Sequence, residues 1–363
     1  MKTIAVLGAS GFVGVRLVEM LHLGGVAQVR PIFYRPASMA PLARFQLDWR
    51  MAEYSNPSAL AAALQGCDTL VHLATGDPKI IRNLTTPVYE AAARAGVRRM
   101  VFLSSASVYG QAPATGTNDS SPLPRRHRFP YNAAKVEAER RLRVARTHGK
   151  TELVVLRPGI VWGPRSRWIV DTMRTIRAGT FGWLNNGQGT INPIYVDNLV
   201  HAIVCASSAP ADGQNFLLND PEPGSWREFF TPWLEACGKN PADVPGAPPY
   251  VPARGLKARF ERVRVHELTQ QIAPKIPSVL KQMVKALVAK APAQSIGAIE
   301  TVSGPPQPAQ LSEEMTVLEE CQWRFPVKHA HTQLGWTPPV SWPTAVERTL
   351  GWLRFADLLP SPK

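Results

Sequence analysis

The sequence has no run of about 18 uncharged apolar residues, so no segment is expected to cross a membrane as a helix. The apolar run near its start, Ile4 to Leu7, is too short for a secretory core and leads into glycines. It reads as the first strand of the fold, and the protein as cytoplasmic. Cysteine is scarce: Cys67, Cys205, Cys237 and Cys321 stand far apart with no CxxC pair. That leaves zinc ligation and a disulfide framework without support. The eight histidines form no HxxxH or HExxH pattern, and no metal site is expected. Acidic residues are outnumbered, 27 against 41 Lys plus Arg, for a net charge of +14. This excess favours anionic partners, whether nucleotides, phosphorylated substrates, nucleic acid or an anionic membrane surface, without choosing among them. No internal repeat is visible.

What the chain does have is bulk. With 363 residues, 45% hydrophobic and 19% charged, it can bury a sizeable core as two domains or one large one. The first 160 residues alternate short apolar runs with helical patterns. Strands are expected at Thr3–Leu7, Val29–Phe33, Arg44–Leu47, Thr69–Leu73, Met100–Leu103 and Leu153–Leu156. Helices are expected at Gly11–Leu23, Pro57–Leu64, Ile80–Ala95 and Tyr131–Arg146, with Pro87 kinking the third or marking a late start. Such alternation implies an α/β fold with a doubly wound parallel sheet. After Pro164 the rhythm breaks. A helix at Trp168–Arg177, a turn at Asn185–Gly189, a strand leading into a helix within 191–206 and a closing helix at Trp342–Phe355 remain. Proline, at 34 residues, is concentrated after residue 209, so the C-terminal part should be rich in loops.

The first motif with chemistry is Gly8-Ala9-Ser10-Gly11-Phe12-Val13-Gly14, between a strand and a helix. One glycine permits a tight turn, one lets the backbone approach a pyrophosphate, and one lets helix and strand pack closely. The helix start then offers unpaired N–H groups to the anion. After the second strand an acid would suit the ribose hydroxyl of NAD and a base the 2′-phosphate of NADP. The chain has Tyr34-Arg35-Pro36, so the expectation tilts to NADP over NAD; a solvated loop arginine is the other reading of Arg35. The second constellation is Ser105, Tyr131 and Lys135. Tyr131 and Lys135 are four apart and share a helix face. An ammonium near a phenol favours phenolate, which could then exchange a proton with a substrate oxygen. Ser105 follows an apolar strand, at the sheet edge where such sites form, and its hydroxyl could hold the same oxygen.

With GASGFVG at 8–14, Asp48, CDTLVHLAT at 67–75, FLSSASVYG at 102–110, YNAAK at 131–135, LRPGIVWGP at 156–164, INPIYVDNLVHAI at 191–203 and LGWTPPVSWPTAVERTLGWL at 334–353, the chain resembles the extended short-chain dehydrogenases/reductases. These are also called the NAD-dependent epimerase/dehydratase family. The resemblance covers nearly the full length. It implies a Rossmann domain with a smaller, mostly helical substrate domain. It also implies that Gly8, Gly11, Phe12, Val13 and Gly14 wrap the pyrophosphate and that Asp48 and Trp49 sit by the adenine. Leu73, Ala74 and Thr75 would line the cofactor cleft, and Pro158 would pack beside the nicotinamide. Tyr131 would be the acid/base, Lys135 would also bind the nicotinamide ribose, and Ser105 would polarise the substrate oxygen. Asp197 would be structural. The family's dehydratases carry an acidic pair after the strand-end Ser/Thr, where this chain has Ala106 and Ser107; water elimination is therefore disfavoured.

The expected division is 1–163 for the dinucleotide domain, with 191–210 and the closing helix at 342–357 returning to it. Residues 164–190 and 211–341 form the substrate domain, with a basic, Pro-rich insertion at 239–312. Within it, residues 254–290 carry nine Lys/Arg against two Glu. That stretch reads as a solvated helical pair, a membrane-surface helix, or a polyanion or partner site. Trp162, Trp168 and Trp183 could line a substrate pocket or belong to the core, and Arg165 and Arg167 could clamp a phosphate or be loop arginines. The first functional expectation is hydride transfer at a secondary alcohol or ketone of a nucleotide-activated sugar, as a 4-epimerase or 4-keto reductase. An apolar lipid- or steroid-like ketone is the second. A non-catalytic dinucleotide sensor or nucleic-acid-binding relative is the third, which the intact Ser105–Tyr131–Lys135 set argues against. Family members dimerise through the helices at 80–95 and 131–146, an expectation weakened here by arginines at 140, 141, 143 and 146.

Overall fold

A computed structural model describes residues 2–74, 76–251 and 308–359. Its centre is a seven-stranded, wholly parallel sheet. The strands are β1 (Thr3–Leu7), β2 (Gln28–Phe33), β3 (Arg50–Met51), β4 (Thr69–His72), β5 (Arg99–Leu103), β6 (Glu152–Pro158) and β9 (Asn215–Leu218), in the order β3-β2-β1-β4-β5-β6-β9. Helices α1 (Phe12–Leu23), α2 (Pro57–Leu64), α3 (Pro78–Arg94), α4 (Pro130–His148) and α6 (Val196–Ala206) cover its two faces. This is a Rossmann-type doubly wound fold. The order reverses beside β1, so the connections leaving β1 and β4 run to opposite faces of the sheet and open a crevice at the strands' carboxyl ends.

Both faces of the sheet are apolar because strands buried on two sides cannot alternate with polar residues. Val6, Val71, Val101 and Val154 join the core on one face with α1 and α6. Ala5, Leu70, Met100 and Val155 join that on the other with α2, α3 and α4. A third core is aromatic. It gathers Trp162, Trp183, Trp226, Phe229, Phe230 and Trp233 around α5 (Arg167–Arg177) and α7 (Trp226–Ala236). A small second sheet, β7 (Ile160–Trp162) with β8 (Pro193–Tyr195), links this core to the main one.

Three sequence expectations differ from what is found. Arg44–Leu47 is not a strand: the third strand is the two-residue β3, and Asp48 therefore precedes it. Phe45 and Leu47 instead pack from a loop onto the first core, where Arg44 pairs with Glu19 at 2.7 Å. Pro87 does not mark a late start of α3, which runs from its cap at Asp77 to Arg94 with the proline inside it. A proline ten residues in removes its own N–H from the ladder and crowds the carbonyl four residues back, and tertiary packing of Ile81, Val88 and Ala92 holds the helix.

The third concerns the returning segments. The strand that follows α6, β9, hydrogen-bonds to β6 and lies in the main sheet, beyond the expected limit of 210. The helix that packs onto β9 and α6 is α9 (Lys328–Leu334), through Ala330 and Leu334. The closing helix α10 (Trp342–Phe355) instead puts Ala345 and Leu353 into the aromatic core. Asp197, on α6, ties these layers together: Arg16 of α1 bonds it at 2.6 and 2.8 Å, and Arg348 of α10 at 3.1 Å.

Candidate active site

The crevice is a cleft of about 490 Å³. One wall is the turn from β1 to α1. Gly8 has φ +81°, and a Cβ there would stand 2.8 Å from the Ala74 amide nitrogen. A Cβ on Gly14 would come within 2.1 Å of the Gly8 carbonyl oxygen. Gly14 thus lets α1 start directly against the turn. Helix α1 has no side-chain cap and no acid in its first turn. Its first N–H groups are therefore left for an anion. The glycine cradle, the bare helix start and the size of the cleft fit a dinucleotide.

The opposite wall comes from β5 and α4. Ser105 follows β5, and its Oγ accepts from the Ser107 amide at 3.2 Å and from the Ser107 hydroxyl at 2.9 Å. Tyr131 lies in the first turn of α4 and Lys135 one turn on; both line the cleft with Ser105. Lys135 is 2% exposed. Its Nζ donates to the Leu103 carbonyl at 2.7 Å and sits 5.0 and 5.8 Å from the ring centres of Phe102 and Tyr131. Burial pulls its pKa down to about 8, with the Glu139 charge working the other way. Beneath it, His72 is fully buried. Burial and then the Lys135 charge push its imidazole down to about 3, so it stays neutral.

Gly8, Gly11, Phe12, Val13, Gly14, Leu73, Ser105, Tyr131, Lys135, Pro158, Arg165 and Arg167 all line this one cleft. Ser10 and Ala74, in the neighbouring segments, are not among the residues lining it. Arg35 is exposed after β2, its guanidinium 5.2 Å from the Tyr34 ring centre. Asp48 is paired with Arg30 at 2.7 Å and with Arg50, and Trp49 is 45% exposed. Thr75 and residues 254–290 lie outside the described residues.

The tryptophans divide. Trp168 lines the cleft. Trp162 does not: it is fully buried, with its ring centre 4.9 Å from that of Trp342 and 5.1 Å from that of Tyr195. Trp183 is also core, its indole N–H donating to the Pro241 carbonyl at 3.2 Å. The large ring of a tryptophan in a short β-strand is drawn to whichever apolar layer that strand abuts, and here that layer is the aromatic core.

Other lining residues escaped the sequence reading. Ile160, Val161, Trp226, Leu318 and Phe325 make an apolar wall, with Gln111, Asn192 and Glu314 as polar points. Gln111 pairs with Asn132, beside Tyr131, at 2.8 Å, and donates to Glu314 at 2.9 Å. Glu314 and Leu318 are four apart on α8 (Glu313–Glu319), so they share a face. Nothing in the sequence says that this helix crosses the cleft. Glu139, behind the cleft, was also missed, although it continues the four-residue spacing of Tyr131 and Lys135.

The fold and the site define a dinucleotide-binding α/β protein with a serine, a tyrosine and a lysine on one cleft. The sequence profile of the NAD dependent epimerase/dehydratase family matches residues 4–218, and the chain belongs to that family. Among known proteins it is 28% identical to 3beta-hydroxysteroid-dehydrogenase/decarboxylase isoform 1 of Arabidopsis thaliana, over 64% of this chain and 61% of that one. The match thus leaves more than a third of the plant protein unspanned. It is 29% identical to the 3 beta-hydroxysteroid dehydrogenase/Delta 5-->4-isomerase of Mycobacterium tuberculosis, over 65% of this chain and 70% of that protein. Among solved structures, UDP-glucuronic acid 4-epimerase from Bacillus cereus, in complex with UDP-glucuronic acid and NAD, shares the fold. Its TM-score is 0.67 at 18% identity, covering 98% of this chain and 99% of that one. No helix among the described residues is long and apolar enough to cross a membrane.

Proposed function

We propose that this chain is an NAD(P)-dependent dehydrogenase or ketoreductase acting at a secondary alcohol or ketone on an apolar, lipid-like skeleton. The observation that carries this reading is the composition of this cleft. Ser105, Tyr131 and Lys135 stand at one side, and beyond Pro158 the wall is built from Ile160, Val161, Trp168, Trp226, Leu318 and Phe325. A largely apolar pocket with a few converging polar groups suits a hydrophobic substrate carrying one reacting oxygen. The steroid-named relatives point the same way.

In this reading the turn from Gly8 to Gly14 holds the pyrophosphate, and Leu73 and Pro158 flank the nicotinamide end. When bound, the nicotinamide supplies or takes up a hydride at its C4. Tyr131 gives a proton to the substrate oxygen, or removes one from it. The Ser107 hydroxyl donates to Ser105, which leaves the Ser105 hydrogen free for the same substrate oxygen. Lys135, anchored on the Leu103 carbonyl, favours the phenolate of Tyr131 by its charge. Ala106 and Ser107 supply no carboxylate, so the set serves proton transfer and places no acid there for water elimination. Arg35, with no acid beside it, supports NADP as the preferred cofactor. A dinucleotide sensor without turnover would have no use for the phenol and its lysine.

Arg165 and Arg167 favour one second reading, a nucleotide-sugar substrate with its pyrophosphate held at the rim of the cleft. Turnover assays separate the two. The purified protein is supplied with NADPH or NADH and 3-ketosteroids or long-chain ketones, or with NADP+ or NAD+ and UDP-sugars, with and without anionic vesicles. Turnover of the apolar ketones is expected, and vesicle stimulation would extend the reading to membrane-surface contact through 254–290. Turnover of UDP-sugars alone would replace it.

A further inference from the structure

Behind the cleft lies a charge that the reaction just described does not use. Glu139 is fully buried on α4, one turn beyond Lys135. Its carboxylate accepts from the Arg157 guanidinium at 3.0 and 2.6 Å and from the Ser104 hydroxyl at 2.6 Å. Arg157 is itself only 2% exposed and also bonds the Tyr109 hydroxyl. Arg157 thus pairs with this buried carboxylate, and the buried Lys135 stands four residues before it on the same helix face. A buried ion pair contributes little net stability, because desolvation offsets the attraction. Its removal, however, strands the partner charges. The same carboxylate grips Ser104, the residue before Ser105, while Lys135 grips Leu103, the residue before Ser104.

We propose that Glu139 is a positioning residue for the Ser105–Tyr131–Lys135 set: its carboxylate keeps the buried Lys135 amine protonated and holds the end of β5 in register with α4. This rests on the roles proposed above for those three residues. The groups that face Lys135 are consistent with it. From β4 comes His72, neutral; from α4 itself come Tyr131 and Glu139; Arg157, from β6, competes for the Glu139 carboxylate. Arg143 also pairs with Glu139, at 3.6 Å, and bonds Asn215. Glu139 is thus the anion among them.

The test reads the lysine directly. The protein is labelled at lysine Cε with carbon-13, and the Lys135 resonance is assigned by subtracting the spectrum of Lys135→Met. In Glu139→Gln the titration midpoint of Lys135 should fall by about one pH unit or more, since a like-sized neutral amide no longer offsets its burial. Glu139→Asp should restore much of it, and Arg157→Met, which removes the competing cation, should raise it. A loosened core cannot imitate the fall, because exposing a lysine moves it up towards its ordinary value of about 10.4. Should Glu139→Gln not fold, the double variant with Arg157→Met removes both members of the buried pair and is read in the same way. An unmoved or raised midpoint in Glu139→Gln, or in that double variant relative to Arg157→Met, overturns the proposal. No substrate enters this measurement, so absent turnover with the expected shift would reject the proposed reaction and leave the positioning role standing.

Discussion

The Lys135 amine donates to the main-chain carbonyl of Leu103 at 2.7 Å. A buried cation on α4 is thereby pinned to the strand whose end carries Ser105. Residues separated by 32 positions are held in one frame by this bond, and its strength grows with the exclusion of water. Tyr131, a turn earlier on the helix, inherits its place over the cleft from the same anchor.

If Tyr131 handles the proton, Tyr131→Phe keeps the ring and removes the hydroxyl. Turnover should fall by roughly 100- to 10,000-fold, while dinucleotide affinity, read by fluorescence titration, should stay within about twofold. Parallel loss of both would show that the residue acts in binding.

The depressed pKa of Lys135, about 8, sets the alkaline side of the reaction. Burial disfavours the ammonium, so kcat/KM should decline as pH rises through about 8. Stability should move in the opposite sense. Between about 8 and the ordinary lysine value of about 10.4 the unfolded chain binds more protons than the folded one, so folding strengthens as pH rises. A flat kcat/KM profile between pH 7 and 10 would contradict this.

His72 governs the acid side of stability. Its folded value of about 3 lies below its usual range because it is buried beside Lys135. The unfolded chain therefore takes up a proton below about 6.5 that the folded chain refuses, and stability is lost as pH falls from there. By pH 4.5 the loss from this residue is about 2–3 kcal/mol. Urea unfolding of His72→Phe should show a correspondingly flatter stability curve between pH 6.5 and 4.5.

Gly14→Ala and Gly11→Ala should differ. The new Cβ would meet the Gly8 carbonyl oxygen at 2.1 Å in the first and at 3.3 Å in the second. Backbone must move in the Gly14 variant, so its dinucleotide affinity should drop at least about tenfold and its melting temperature fall. The Gly11 variant requires a shift of only a few tenths of an ångström and should retain its fold.

Trp162→Ala and Trp168→Ala separate core from pocket. Truncating the fully buried Trp162 should cost about 3–5 kcal/mol of stability. Trp168→Ala should mainly raise KM for the apolar ketone, since that ring lines the cleft. Equal stability losses in the two variants would place Trp168 in the core as well.

Local pattern alone carried much of this protein. Strands β1, β2, β4, β5 and β6 follow from apolar runs, and α1 and α4 from helical periodicity, because a buried parallel strand and an amphipathic helix each leave a mark on neighbouring residues. The glycine turn and the Tyr131–Lys135 pair are legible for the same reason: their spacing is a property of one turn or one helix. What the tertiary structure decided is everything that depends on distant segments meeting. Arg44–Leu47 has the apolar content of a strand, yet β2 pairs with Arg50–Met51 instead. Trp162 and Trp168 look alike in sequence, and only the packing of α7 and α10 sends one into the core and leaves the other on the cleft. The α8 residues Glu314 and Leu318 reach the site from far along the chain. Sequence periodicity records which face of an element is buried; it does not record what that face is buried against.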